Sequence, residues 1–240
     1  LISTEVHFIS GNLYNASTIA QMRAIEDFVQ LLFPTRCFGC SAIGISICAN
    51  CRSEWYLHLY KSKISGVTVY SSVMYSPVAK RILLAAKESG LQGADDLLIQ
   101  AMIHSLNYLP IRKNETFLVP IPSTLQSQRR RGRKFIVDLS QKVSKISGLE
   151  TVQLLEHQRK VRDQSHLNAK SRDKNMIGAL TISRGENSNS QLEIYGDADL
   201  ILIDDVLTSG ATLREGLRAL LAGGFRVIGA ITAAVAQPLR

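Results

Sequence analysis

A chain of 240 residues with 45% apolar and 20% charged residues can bury a sizeable core, which excludes a disordered chain. A net charge of +8 and a pI near 9.5 favour anionic partners; a sugar diphosphate, a nucleic acid and an acidic protein all meet that condition. No apolar run approaches the roughly 18 residues of a membrane span, and the start lacks a basic segment followed by a hydrophobic stretch. A soluble, unexported, cytoplasmic protein without a membrane partner is expected.

Residues 1–21 read as a weakly structured extension, here given no function. Residues 22–33 place Ile25, Phe28, Val29 and Leu32 on one helical face and stop at Pro34. All four cysteines follow within fifteen residues, as Cys37-Phe-Gly-Cys40 and Cys48-Ala-Asn-Cys51. Two Cys-x-x-Cys knuckles seven residues apart suit four thiolates around one structural zinc, and in an unexported protein that outweighs two disulfides. Gly39 eases the turn, and Trp55 is expected to pack on the knuckle. Residues 22–62 thus form a helix and zinc knuckle, and 63–240 the main domain.

The β-branched and aromatic run 67–75 predicts a strand. Ser76-Pro77 then caps a helix that carries Val78, Ile82, Leu83 and Ala86 inward and ends at Gly90. Asp95 and Asp96 open another helix, with Leu97, Leu98, Ala101 and Met102 inward. The strand 116–119 runs into Pro120-Ile-Pro122, where prolines end the ladder, and a basic loop follows. Residues 135–147 form a helix that buries Ile136, Val137, Leu139, Val143 and Ile146 before Gly148.

A strand-like run near 152–155 leads into the polar, basic stretch 157–174, read as a loop. Residues 179–183 and 192–195 are expected to pair around the tip 185–190. The last unit is the clearest: a buried strand at 200–203, a turn, a helix over 213–221, the stop Gly223-Gly224 and a strand over 227–235. Such alternation defines an α/β fold, a mainly parallel sheet with helices on both faces.

Ligands of open parallel sheets bind beyond the carboxyl ends of the strands. That edge carries Asp204-Asp205, the spacers Val206 and Leu207, and then Thr208-Ser209-Gly210-Ala211-Thr212. Paired carboxylates accept hydrogen bonds from vicinal sugar hydroxyls and can hold a magnesium ion. Small residues, hydroxyls and successive backbone N–H groups at a helix start can wrap a phosphate. The same dipeptides also serve as ordinary turn and capping residues. Their arrangement in phase, from buried strand through acids and nest to helix, favours a phosphorylated ribose. Neither a Gly-x-x-x-x-Gly-Lys-Ser/Thr nor a Gly-x-Gly-x-x-Gly element is present, which argues against a nucleotide kinase or dinucleotide site.

The segment from Ile201 to Leu213 resembles the phosphoribosyl-pyrophosphate loop of type I phosphoribosyltransferases. The wider chain, from about Leu32 onward, resembles the ComF family of bacterial proteins. The likeness rests on the paired cysteines, Leu118-Val-Pro-Ile-Pro122, Arg129-Arg-Arg-Gly-Arg133, and Gln164 with Arg172 and Asn175, in that order. The resemblance implies that Asp204 and Asp205 contact ribose hydroxyls, that Thr208 to Thr212 hold the 5-phosphate, and that the turn after Val119 lies near the pyrophosphate. One turn departs: Gly132 is followed by Arg133-Lys134-Phe135 where family members carry Phe-Asn-Gln.

A leaving pyrophosphate needs pre-positioned cations and usually a metal. Arg129, Arg130, Arg131, Arg133 and Lys134 follow the relevant strand, and Arg131 and Arg133 are the candidates singled out there. Arg159, Lys160 and Arg162 fall where the wider superfamily carries a closing flap. A solvated basic face competes with either role, as does single-stranded nucleic acid, although Phe135 is the one ring beside the arginine cluster. The five histidines show no informative spacing and receive no catalytic role.

Two functions remain. One is a magnesium-dependent transferase moving ribose 5-phosphate from phosphoribosyl pyrophosphate to an unidentified acceptor. The other, suggested by the ComF resemblance, is a non-catalytic competence protein that supports DNA uptake by binding single-stranded DNA or a partner such as a competence helicase.

Overall fold

The computed structural model describes residue 28 and residues 34–159, 175–183 and 194–239. The extension at 1–21, the helix expected at 22–33 apart from Phe28, and the tip at 185–190 lie outside the described residues. So do Gln164, Arg172 and most of the 157–174 stretch.

In chain order the elements are α1 (Ala49–Glu54), β1 (Tyr60–Ile64), β2 (Val67–Met74), α2 (Pro77–Ser89), α3 (Gln92–Leu106), β3 (Thr116–Pro120), α4 (Leu125–Arg131) and α5 (Phe135–Ser147). They continue with β4 (Glu150–Thr151), β5 (Leu155–His157), β6 (Leu180–Ile182), β7 (Asp199–Leu207), α6 (Ala211–Ala222) and β8 (Arg226–Val235). The main sheet has the order β1-β2-β8-β7-β3-β4, with every neighbouring pair parallel except β1 and β2. This is the expected mainly parallel α/β sheet.

Strand periodicity divides the core. Ile201 and Ile203 of β7 enter a cluster with α2, α3, α5 and the knuckle residues Cys37, Cys51 and Trp55. Leu200 and Leu202 enter the opposite cluster, with Leu213, Leu217 and Leu220 of α6. β7 is therefore apolar on both faces, as a central parallel strand must be.

Local signals were accurate where caps are explicit. Ser76 Oγ accepts from the Ala79 N–H at 3.1 Å, Pro77 takes the first turn, and Gly90 adopts the left-handed conformation that ends α2. α5 covers the expected residues, but Ile146 is 64% exposed rather than buried, since it falls outside the arc that packs on the sheet.

Other expectations are corrected. α3 begins at Gln92, so Asp95 lies inside its first turn and is buried rather than opening it. The basic loop after β3 is largely a helix, α4, capped by Thr124 and stopped by left-handed Gly132. The strand expected near 152–155 is split between β4 and β5. β6 pairs antiparallel with β5; of its expected partner at 192–195 only 194–195 are described, and they form a helical turn from which Tyr195 packs edge-on against Phe117, with ring centroids 5.0 Å apart. Strand β1, unforeseen in the sequence, joins β2 through Ser65 and Gly66, both at positive φ, a two-residue hairpin connection.

Candidate active site and metal centre

β7 does not turn at Ile203. Its ladder with β8 continues from Asp204↔Thr232 to Leu207↔Val235, so the two aspartates are held within the last turns of a buried strand. Gly210 then opens α6 at φ 75°, and a Cβ there would meet Ile64 Cδ1 at 2.7 Å. Only glycine lets the loop close so tightly over β1.

Beyond this edge lies a cleft of about 540 Å³. Asp204, Asp205, Val206, Thr208 and Thr212 line one side, while Leu207, Ser209, Gly210 and Ala211 are not among the lining residues. Ile121 to Thr124, the turn after β3, form another wall, and Arg130 and Arg131 of α4 reach the rim. Arg133 does not join them. Its guanidinium grips both oxygens of buried Asp95 at 2.8 Å and donates to the Ala86 carbonyl, with its plane 4.8 Å from the Phe135 ring centroid. Arg131 lines the cleft while bridging Glu88 at 2.9 Å.

Several cleft residues carried no sequence signal. The exposed face of α2 supplies Lys80, Leu84, Lys87 and Glu88. Lys87 Nζ lies 2.5 Å from Asp205 Oδ2. His157 also lines the cleft, with Nε2 3.0 Å from the Pro122 carbonyl oxygen; among the described residues its Nδ1 is buried without a hydrogen-bond partner. Burial depresses its pKa, so the neutral ring is favoured. The Ser-Pro cap of α2 located that helix, but which face meets the acids depends on packing 118 residues away in sequence.

The two carboxyls are electrostatically unequal. Burial, followed by the charge of Asp205, pushes Asp204 well above the usual carboxylate range. Burial acts on Asp205 in the same sense, but the Lys87 ammonium outweighs it and holds Asp205 below its ordinary value. The site therefore offers one ionised acceptor and one carboxyl that readily keeps a proton.

The four cysteine Sγ atoms lie within 4.8 Å of one another, and Cys40 and Cys48 are 3.6 Å apart. Zinc–sulfur bonds near 2.3 Å give a tetrahedral edge of about 3.8 Å, so the donor set fits one zinc ion. Burial opposes a Cys37 thiolate, but backbone N–H groups, led by that of Cys48 at 3.3 Å, bring its pKa down to about 6. Burial and the neighbouring sulfurs push Cys51 up, the crowding that a cation relieves. Gly39 is required for close approach: a Cβ there would sit 2.6 Å from Cys51 Sγ. Trp55 is buried against the cluster, as expected.

The family model for the phosphoribosyl transferase domain matches residues 99–238, and the chain belongs to that family. Among solved structures, the chain is similar to an adenine phosphoribosyl transferase from Trypanosoma brucei in complex with AMP, pyrophosphate and ribose-5-phosphate, at 10% identity and a TM-score of 0.39, covering 70% of this chain and 83% of that one. It is also similar to an adenine phosphoribosyltransferase from Leishmania tarentolae, at 13% identity and a TM-score of 0.35, covering 63% and 74%. No curated protein matches. Among the described residues, no helix is long and apolar enough to cross a membrane.

Proposed function

We propose that this protein binds phosphoribosyl pyrophosphate, with magnesium, in the cleft at the carboxyl end of β7. Asp204 and Asp205 hold the ribose hydroxyls, and the 208–212 segment wraps the 5-phosphate with its amides and the hydroxyls of Thr208 and Thr212. Arg131 and the turn at Ile121 to Thr124 stand on the pyrophosphate side. Arg133, engaged with Asp95, positions α4 and α5 and does not touch ligand. The observation that carries this reading is the convergence of the acid pair, the two threonines and a basic rim on one cleft.

The reaction proposed is transfer of ribose 5-phosphate to an acceptor nucleophile: the new bond forms at the anomeric carbon as the bond to pyrophosphate breaks. Magnesium, carried on the pyrophosphate oxygens, would neutralise charge on the leaving group. The chain's own part is to orient the ribose, anchor its phosphate and offer cations to the departing end.

The N-terminal four-cysteine cluster favours a finer assignment, the ComF family, with residues 22–62 as a zinc-stapled module on a 63–240 transferase-like domain. In that setting the pocket could serve competence and DNA uptake, sensing the sugar phosphate without turnover.

Calorimetric titration with phosphoribosyl pyrophosphate and magnesium tests the pocket. Asp204→Asn with Asp205→Asn should weaken binding by about tenfold or more, and undiminished binding by the double variant removes the assignment. Pyrophosphate release with a pool of nucleobase and amine acceptors marks the enzyme; binding without release marks the sensor.

A further inference from the structure

We propose that Lys87 is a specificity-determining residue of the sugar-phosphate site: a built-in counter-cation that lets the cleft take the ribose 5-phosphate end of its ligand without a divalent metal. This rests on the sugar-phosphate reading above, and assigns a role to a residue outside the acid pair and its loop.

An acid pair whose Asp205 is buried faces an electrostatic problem with such a ligand. The sugar carries a phosphate with nearly two negative charges, and like charges brought into one poorly solvated cleft repel strongly. Some cation must offset them. Lys87 offers one from the protein itself, with Nζ 2.5 Å from Asp205 Oδ2 and the side chain 27% exposed at the cleft wall.

Three features mark this lysine as pre-positioned rather than incidental. It projects from α2, a capped helix of 13 residues, not from a loop. Its ammonium also lies 5.7 Å from the centroid of Phe135, a ring with no exposed surface that fixes one side of its path. The competing acid on the same helix, Glu88, is already bridged by Arg130 and Arg131, which leaves Asp205 as the carboxylate for Lys87.

Lys87 need not leave when ligand arrives. A carboxylate has about four lone-pair sites, so Asp205 can keep the ammonium on Oδ2 while it accepts a ribose hydroxyl elsewhere. Magnesium is then needed by the pyrophosphate end alone. Ribose 5-phosphate and phosphoribosyl pyrophosphate should therefore differ in metal dependence on the same protein.

The test is calorimetric titration of the full chain with each ligand, in EDTA and in magnesium. Wild type is expected to bind ribose 5-phosphate with less than about a twofold difference between the two conditions, and phosphoribosyl pyrophosphate more tightly with magnesium. Lys87→Met should lose about tenfold or more for ribose 5-phosphate in EDTA, and recover part of it in magnesium. Lys87→Arg should keep the metal-independent binding. Lys145→Met removes one exposed charge from outside the cleft lining and should keep it too.

Ribose 5-phosphate binding by wild type only in magnesium overturns the proposal without any variant, as does unchanged affinity of Lys87→Met in EDTA. An equal loss in Lys145→Met would make the effect general charge and also overturn it. Failure of wild type to bind either ligand in any condition removes the sugar-phosphate reading itself, a result distinct from binding that ignores Lys87.

Discussion

Asp204 and Asp205 are adjacent in sequence, yet Asp204 tends to hold a proton and Asp205 to lose one, and the difference traces to Lys87. The consequence for stability has a definite sign. A carboxyl whose folded pKa is raised contributes stability below its unfolded pKa, about 3.9, and that contribution is lost as pH rises through the folded value. Asp204→Asn removes the titration. The variant should gain melting temperature relative to wild type as pH rises from about 4 toward neutrality, by an amount consistent with one group's linkage, while losing affinity for sugar phosphate. A melting-temperature difference that is flat with pH would mean that Asp204 is ordinarily ionised. Asp205 has the opposite sign, its contribution being present above the unfolded value and lost on acidification through the depressed one. His157 behaves likewise: its neutral form is favoured by burial, so its contribution fades as pH falls from about 6.5 through the lower folded value.

At the scale of elements, the knuckle is a short, largely irregular segment in which four sulfurs converge. Between Thr35 and Trp55 the one helix described is the six-residue α1, and a few turn hydrogen bonds such as Cys37 N–H to the Ala42 carbonyl hold the rest. The protein should carry one equivalent of zinc by elemental analysis. Cys48→Ser should speed its loss to a chelator and lower the melting temperature, whereas Ser46→Ala, beside the cluster, should do neither. A zinc-free native protein with two disulfides is the contrary result.

Elements were legible where the information is local: the Ser-Pro start and Gly end of α2, Gly148 after α5, and the fully apolar run of β7 all act within one or two turns. Strand β1 was missed because Tyr-Lys-Ser-Lys-Ile alternates only weakly, although the Ser65-Gly66 turn was a usable signal. α4 read as a loop because the six residues after Leu125 are all polar or basic and leave no apolar period behind the Thr124 cap. The acid pair and its loop were visible because they lie on one strand–turn–helix unit. Lys87, Glu88 and His157 were not, because their partners lie on other elements and charged pairs across a fold leave no period in the sequence.

Across the molecule, several of the basic residues that give the chain its charge are occupied internally. Asp95 shows how. It is 1% exposed inside α3 and gathers Arg133 from the turn before α5 and Lys142 from α5 itself, at 2.8 and 3.1 Å. Burial opposes its ionisation, but the hydrogen bonds from Arg133 and Lys142 outweigh that and lower its pKa. Its contribution is therefore present above about pH 3.9 and is lost as pH falls through the depressed folded value. Asp95→Asn leaves half-buried Arg133 without its charge partner, and should cost about 1.5–3 kcal/mol in denaturant unfolding at neutral pH. A penalty below about 1 kcal/mol would class the bridge with exposed pairs. At the opposite end of the sheet, Asp199 at the start of β7 forms ion pairs with Arg112 at 2.7 Å and Arg226 at 3.1 Å.

Helix α2 touches both centres of the molecule. Arg81 donates to the Gly39 carbonyl at 2.7 Å, inside the first knuckle, while Lys80 and Lys87 line the cleft. A single helical rod thus meets the four-cysteine cluster at one flank and the cleft at the other. Whatever ordering of that rod either occupant requires is shared by both, and thermodynamic reciprocity makes the benefit equal in each direction. If the proposed zinc and sugar phosphate both order that helix, a staple that looks merely architectural from the sequence would also tune how tightly the cleft holds its sugar.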